Sequence, residues 1–484
     1  MLIEKKNEVF LKLECEPHIG RQLSDYFTFD VPGAKFMPSF RNRVWDGKIR
    51  LYNMMKGEIY VGLYNYITEY LQEQEINYTV SEELLDGLDI SNNDVQAFTN
   101  TLNLRTKSKK LKARDYQITA LAHAIRNHRT LLLSPTASGK SLIIYCLVRY
   151  YLEKVNHFLI IVPTTSLVEQ MSSDFIDYGW QEANIQKIYS GHDRIVTKPV
   201  VISTWQSLYK FPIKYFEQFG AVVGDECHLF KAKSLTSLMH KLHLTKYRFG
   251  LTGTLDGSQT HRLVLEGLFG KVQKVVTTKE LIDNKTISDL HIEAIVLTYA
   301  EEECKLVKKM TYQEEMDYIT QHSRRNKFIS DLTLRLKYNT LVLFQFVEKH
   351  GKNLYDFISS RTDRKVFFVY GKTDTEMREE VRALSELNND VIIIASYGTF
   401  STGINIQNLH NIIFASPSKS RIRTLQSIGR VLRKNKSKSS ASLFDIADDF
   451  THGKKKNYTL NHFMERINIY NTEYFDYSIN RVKI

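Results

Sequence analysis

At 484 residues the chain is too long for a single hydrophobic core, and length alone points to about three domains. Hydrophobic residues at 43% and charged residues at 25% exclude a disordered or fibrous chain. Lys and Arg outnumber Asp and Glu by 66 to 54, and a net charge of +12 favours polyanionic partners, because each phosphate neutralised releases counterions.

The four cysteines, Cys15, Cys146, Cys227 and Cys304, are scattered and form no CxxC pair, so neither a disulfide framework nor a zinc site is expected. No apolar run approaches the ~20 residues of a membrane span, and Met1 to Phe10 carries charges where a signal peptide would be apolar. The expectation is a cytoplasmic protein without a membrane partner.

The N-terminal stretch interleaves Lys35, Arg41, Arg43, Lys48 and Arg50 with Phe36, Phe40 and Trp45. That mixture suits phosphate contact and base stacking, and equally an ordinary small core. Residues 61–100 hold eight acids and no Lys or Arg; Arg105, Lys107, Lys109, Lys110, Lys112 and Arg114 follow at once. So abrupt a change marks a domain boundary near residue 95.

Beyond it, Thr130–Ser134, Phe158–Val162, Val200–Ser203 and Ala221–Asp225 are short and continuously apolar, as parallel strands buried on both faces are. Ser141–Leu152 and Ser166–Tyr178 are long enough for crossover helices. The pattern restarts with strands expected at Thr340–Phe346, Val366–Tyr370, Val391–Ser396, Asn411–Ala415 and Ser442–Ile446, separated by helices such as Thr375–Leu387 and Arg421–Leu432. Gly267 to His291, with weaker periodicity, contains the connection. The fold class is therefore α/β: a small α+β domain over 1–95, α/β domains over 96–275 and 276–450, and a C-terminal helical tail over 451–484.

Two elements carry chemistry on their own. Leu131-Leu132-Leu133 runs into Ser134-Pro135-Thr136-Ala137-Ser138-Gly139-Lys140-Ser141 and then Leu142-Ile143-Ile144, the strand–loop–helix setting of a phosphate loop. Its amides and the helix N-terminus can face phosphate oxygens; Gly139 permits close approach, Lys140 adds charge and Ser141 offers a hydroxyl to magnesium. The usual first glycine is Ser134 here. Farther on, Ala221-Val222-Val223-Gly224-Asp225-Glu226-Cys227-His228 ends an apolar strand in two acids at the sheet's carboxyl edge. Asp225 can hold magnesium, and Glu226 can orient and deprotonate an attacking water. His228 is either a relay or a helix-start histidine satisfied by backbone, and Cys227 reads as small filler.

With these placed, residues 112–450 resemble the superfamily 2 helicases, which implies two tandem RecA-like domains using ATP and Mg2+. Arg114, Tyr116 and Gln117 are similar to that family's adenine-reading segment. Pro163-Thr164 and Thr204-Trp205-Gln206 look like strand-tracking motifs, and Thr252-Gly253-Thr254 like the motif that, with His228, couples hydrolysis to movement. In the second domain Tyr397 to Asn405, with Thr399, Thr402 and Gly403, resembles the motif touching both nucleic acid and nucleotide. Gln426 to Arg433 resembles the arginine-finger helix, where Arg430 and Arg433 share one face. Val431-Leu432-Arg433, in place of Thr-Gly-Arg, is closer to DNA than to RNA helicases. Within the superfamily the chain is similar to recombination helicases of T-even bacteriophages. This implies action in the host cytoplasm on branched DNA, including forks, Holliday junctions and R-loops with their RNA–DNA hybrid, alongside recombination or replication proteins. A nucleic-acid-stimulated ATPase switch, or an RNA helicase that remodels without processive separation, is the alternative.

Overall fold

The computed structural model describes residues 1–484 except 85–86, 107–108, 190–193, 404–405, 407 and 435–437; the side chains of 231, 375 and 401–403 are likewise outside the description. The chain divides into two compact units, Met1–Ser134 with Gly139–Val276, and Pro135–Ser138 with Thr277–Ile484.

In the first unit seven strands form one sheet: β1 Arg129–Leu133, β2 His157–Val162, β3 Ile185–Ile188, β4 Val200–Thr204, β5 Phe219–Asp225, β6 Tyr247–Thr252 and β7 Val272–Lys274. Their order is β3-β4-β2-β5-β6-β1-β7, and every pairing is parallel. Apolar runs such as Phe158–Val162 are buried throughout because helices cover both faces of a parallel sheet.

The second unit repeats the plan with β8 Asp289–Thr298, β9 Thr340–Phe344, β10 Lys365–Val369, β11 Val391–Ser396, β12 Asn411–Phe414, β13 Ser440–Asp449 and β14 Tyr477–Lys483. The order β10-β11-β9-β12-β13-β8-β14, again parallel throughout, matches the first sheet strand for strand. Two tandem RecA-like domains are thus present. The stretch 451–484, read as a helical tail, contains the helix Tyr458–Thr472 but ends differently: β14 leaves it and pairs with β8. Ser478, Ile479, Asn480 and Arg481 are all exposed and mostly polar, the composition of an edge strand, so no apolar run marks it in the sequence.

The N-terminal segment is a small α+β fold. Glu58–Tyr60, Phe10–Glu14, Leu2–Lys5 and Thr79–Val80 form a sheet in that order, backed by helices Pro17–Tyr26 and Tyr64–Glu73. It shares one buried cluster with the first motor sheet, running from Ile3, Leu11 and Ile67 to Leu265 and Phe269. Glu266, fully buried, accepts from Tyr66 Oη at 2.8 Å and from Val272 N at 2.9 Å. Arg129 pairs with Glu8 at 2.9 Å, and Tyr60 Oη meets His240 Nε2 at 3.0 Å. Arg248 lies underneath, its guanidinium donating to the carbonyls of Leu268, Leu242 and Met239 at 3.0, 2.8 and 3.0 Å. A buried arginine held by carbonyls alone loses hydration without gaining an anion, and burial lowers its pKa to about 9.

Backbone meets backbone at Gly62, where an added Cβ would stand 2.0 Å from the Glu266 carbonyl oxygen. Gly62→Ala is expected to destabilise the first unit by about 3 kcal/mol, read as a lower urea midpoint. An unchanged midpoint would show that the two segments are not docked this way.

Candidate ATP site and nucleic-acid edge

In each sheet taken by itself the strands all end on one edge, where ligands of parallel α/β folds bind. At the end of β1 the chain turns through Ala137 and Gly139, at φ +67° and +85°, into the helix Lys140–Tyr151. Gly139 supplies no side-chain cap, and its carbonyl accepts from the amides of Leu142 and Ile143 at 3.1 and 3.3 Å, which leaves the amides of Lys140 and Ser141 at the helix start to face an anion. A Cβ at Gly139 would come within 2.4 Å of Gln117 Nε2, which explains the glycine. The same contact places the expected adenine-reading glutamine against the phosphate loop. Gln117 is pinned by accepting from Arg114 N at 2.9 Å, while Arg114 donates to Tyr116 Oη at 2.7 Å.

The turn Pro135–Ser138 is closed by Ser138 Oγ donating to Pro135 O at 2.6 Å, with Thr136 and Ala137 between them. Ser134, the departure from glycine, is fully buried; its amide donates to Thr252 O at 2.8 Å and its carbonyl accepts from Lys140 Nζ at 3.4 Å. A small buried side chain suffices there, since the backbone makes both contacts. Ser141 Oγ lies 2.9 Å from Tyr178 Oη, a partner that no sequence signal announced.

Asp225 ends β5 and Glu226 follows in a left-handed conformation at φ +48°, a strained backbone of the kind found at functional sites. Burial, with the adjacent Glu226 carboxylate, pushes the Asp225 carboxyl up to about 6; Lys140 opposes the shift. From here a continuous chain of contacts crosses the edge. Lys140 Nζ is 3.7 Å from Glu226, whose carboxylate is 3.4 Å from His228 Nδ1. His228 Nδ1 is 2.9 Å from Thr252 Oγ1, and Thr252 Oγ1 donates to Thr254 O at 3.2 Å. His228 is therefore bonded to a side chain rather than satisfied by backbone. Cys227 is buried, its thiol pushed well up, as expected of filler.

The donor set fits a magnesium–nucleotide complex. An uncapped helix N-terminus and Lys140 suit phosphates, while Asp225 is a buried carboxylate held in an electrostatically unfavourable state that a cation would relieve.

In the first sheet the residues expected to meet nucleic acid lie at or just past the ends of β2 and β4. Because β2 and β4 pair with Val162 opposite Thr204, Pro163-Thr164 and Thr204-Trp205-Gln206 are neighbours, and Gln206 Nε2 donates to Pro163 O at 3.3 Å. Thr164 caps the helix Thr165–Asp177. Thr204 Oγ1 meets Ser207 Oγ at 2.9 Å. At the matching strand of the second sheet, Ser396 Oγ meets Thr399 Oγ1 at 2.8 Å. The repeat thus reproduces a hydroxyl pair three residues apart. Thr402 and Gly403 belong to the undescribed side chains, so their expected roles lie outside the described residues.

In the second unit the helix Arg421–Val431 carries Gln426 and Arg430, with Arg433 two residues past its end. The Arg430 guanidinium lies 5.4 Å from the centre of the Phe400 ring. Lys438, which the sequence did not single out, is buried and donates from Nζ to the carbonyls of Val431 and Arg433, closing the helix C-terminus; burial lowers its pKa to about 7.

Three family models match the chain. Residues 4–81 match the N-terminal domain of DNA helicase UvsW, 110–257 the res subunit of type III restriction enzymes, and 293–435 the helicase conserved C-terminal domain. Motor and N-terminal segment together define a superfamily 2 helicase. The ATP-dependent DNA helicase uvsW of Enterobacteria phage T4 is 38% identical over 495 residues, covering 98% of each chain. The crystal structure of T4 UvsW aligns over 100% of this chain and 99% of that one, at 36% identity and a TM-score of 0.54. The chain belongs to the UvsW family of superfamily 2 helicases. A DNA 3'-5' translocase XPB2 of Sulfurisphaera tokodaii is 22% identical over 86% of this chain and 92% of its own length. Yeast Dbp5 bound to RNA and ADP BeF3, 13% identical with a TM-score of 0.52, shares the fold.

A carboxyl raised from 3.8 to about 6 holds its proton more tightly folded than unfolded. Its cost to stability is absent below pH 3.8, grows as the pH rises to about 6, and is constant above. Asp225→Asn is expected to raise the apo-protein Tm by about 5 °C at pH 7.5, with the gain vanishing near pH 4. A gain independent of pH would refute the assignment.

Proposed function

We propose that this helicase couples ATP hydrolysis to translocation on DNA and acts on branched substrates, among them forks, Holliday junctions and R-loops with their RNA–DNA hybrid. The observation that carries the coupling is the unbroken chain Lys140–Glu226–His228–Thr252–Thr254. It joins the phosphate loop to the segment that returns to Ser134 through Thr252 O.

In this reading Arg114, Tyr116 and Gln117 hold the adenine. Pro135 to Ser141 and the open helix amides bind the phosphates, and Gly403 and Gln426 complete the nucleotide contacts. Ser141, released from Tyr178, and Asp225 would hold Mg2+, which supplies charge neutralisation on the phosphates. Glu226 orients the attacking water and accepts its proton, leaving Lys140. Arg430 and Arg433 stabilise charge on the transferring phosphoryl group. When Glu226 changes partner, His228 loses one of its two contacts and can shift against Thr252, which transmits the event. Pro163, Thr164, Thr204, Gln206, Thr399 and Thr402 meet backbone phosphates, positioning the strand without reading sequence.

The branch preference is supported by the N-terminal segment. There Phe36 and Val44 are 74% and 81% exposed beside Lys35, Arg41 and Arg43. Apolar side chains among cations suit unstacked bases flanked by phosphates. The host-cell cytoplasm, and work beside recombination and replication proteins, fit such a role; among the described residues no helix is long and apolar enough to cross a membrane.

Lys140→Ala and Glu226→Gln are each expected to lower DNA-stimulated ATP turnover at least about 100-fold while DNA binding, by anisotropy, changes less than about threefold. Wild-type turnover in either removes the ATP-site assignment. Unwinding compared on forked, four-way, R-loop and linear duplex DNA tests the substrate: equal rates on linear and branched DNA refute the preference, and stimulated ATPase without separation assigns a remodelling switch.

A further inference from the structure

The arginine-bearing helix Arg421–Val431 is held from outside the helicase motifs. Its first residue, Arg421, donates from Nη2 to Glu473 Oε1 at 2.6 Å, and Glu473 closes the helix Tyr458–Thr472. About two turns earlier on that C-terminal helix, Arg466 is buried with only 1% exposure and donates from Nη1 to the carbonyl of Ser418 at 2.7 Å. Ser418 stands in the segment leading into the arginine-bearing helix, and its hydroxyl receives the amide of Ser420, the residue that caps it. Arg466 is itself fixed by Asp445 of β13, to which Nε donates at 2.9 and 2.8 Å, and Tyr470 Oη donates to the same carboxylate at 2.8 Å. Residues 445, 466, 470 and 473 all lie beyond 293–435, the stretch that matches the helicase C-terminal domain.

We propose that the C-terminal helix is a brace for the arginine fingers, with Arg466 and Glu473 as positioning residues that set the N-terminal end of the arginine-bearing helix. This rests on the assignment of Arg430 and Arg433 as fingers. The opposite end is closed by Lys438 on the carbonyls of Val431 and Arg433, so Arg421 and Ser418 supply the second anchor, and its loss lets the helix turn about its own axis and re-aims the long Arg430 side chain. A guanidinium stabilises a transferring phosphoryl group only at hydrogen-bond distance, so a small displacement lowers turnover without altering how the phosphate loop holds the nucleotide. Buried Arg466 cannot be replaced without stranding Asp445, which leaves the Arg421–Glu473 pair, partly exposed, as the place to probe.

The full chain is compared with Arg421→Glu, Glu473→Arg and the double exchange, measuring DNA-stimulated kcat, KM for ATP and Tm, with Arg430→Ala alongside. Each single variant is expected to lose about five- to tenfold in kcat, with KM for ATP within about twofold and Tm within about 3 °C. The double exchange should recover at least about half of the wild-type kcat, as a re-formed pair would. Wild-type kcat in the single variants, with Arg430→Ala impaired, overturns the brace. So does a loss that follows Tm and is not recovered by the exchange, which marks a merely structural contact. Wild-type kcat in Arg430→Ala instead removes the finger assignment on which the brace rests.

Discussion

The parallel sheet is the constraint from which the rest follows. Strands that all run the same way need crossovers that return the chain to the starting edge, so every strand ends on the same side. Phosphate loop, paired carboxylates, tracking segments and coupling threonines are far apart in sequence yet meet there, because each follows the end of a strand. The second sheet, with the same strand order, gives Ser396 and Thr399 the stations that Thr204 and Ser207 occupy in the first.

Along that edge the chemistry is set by what is left exposed to charge. Asp225 has been taken out of water beside another carboxylate, and Lys140 offsets only part of the cost. A site that is electrostatically unfavourable when free favours a cation and phosphates when they arrive. The same logic explains Glu226, whose left-handed backbone trades local conformational energy for a carboxylate placed between Lys140 and His228.

The two motor domains were legible because their central strands are uninterrupted apolar runs. Val391–Ser396 and the helix Thr375–Leu387 have the bounds read from sequence, and the phosphate loop has the strand–helix setting its residues imply. Edge strands were not legible. β3 is only Ile-Gln-Lys-Ile, and the interior strand β6 was missed as well, because Arg248 and Gly250 break its apolar pattern. The carbonyls that satisfy that arginine come from Met239, Leu242 and Leu268, and no local pattern announces them. In the site, residue types with one chemical use (Lys140, Asp225, Glu226) could be singled out from spacing. Partners chosen by the fold, such as Tyr178 against Ser141 or Lys438 under Val431, could not, since any nearby hydroxyl or cation would leave the same trace in sequence.

The seam at Gly62 and Glu266 bears on mechanics. A segment fastened by a backbone-to-backbone approach, a buried carboxylate and a shared apolar cluster has no hinge of its own. Whatever rotation the first motor sheet undergoes, the N-terminal sheet undergoes too. Phe36 and Val44, carried by that segment, then move with the first motor sheet and not independently of it.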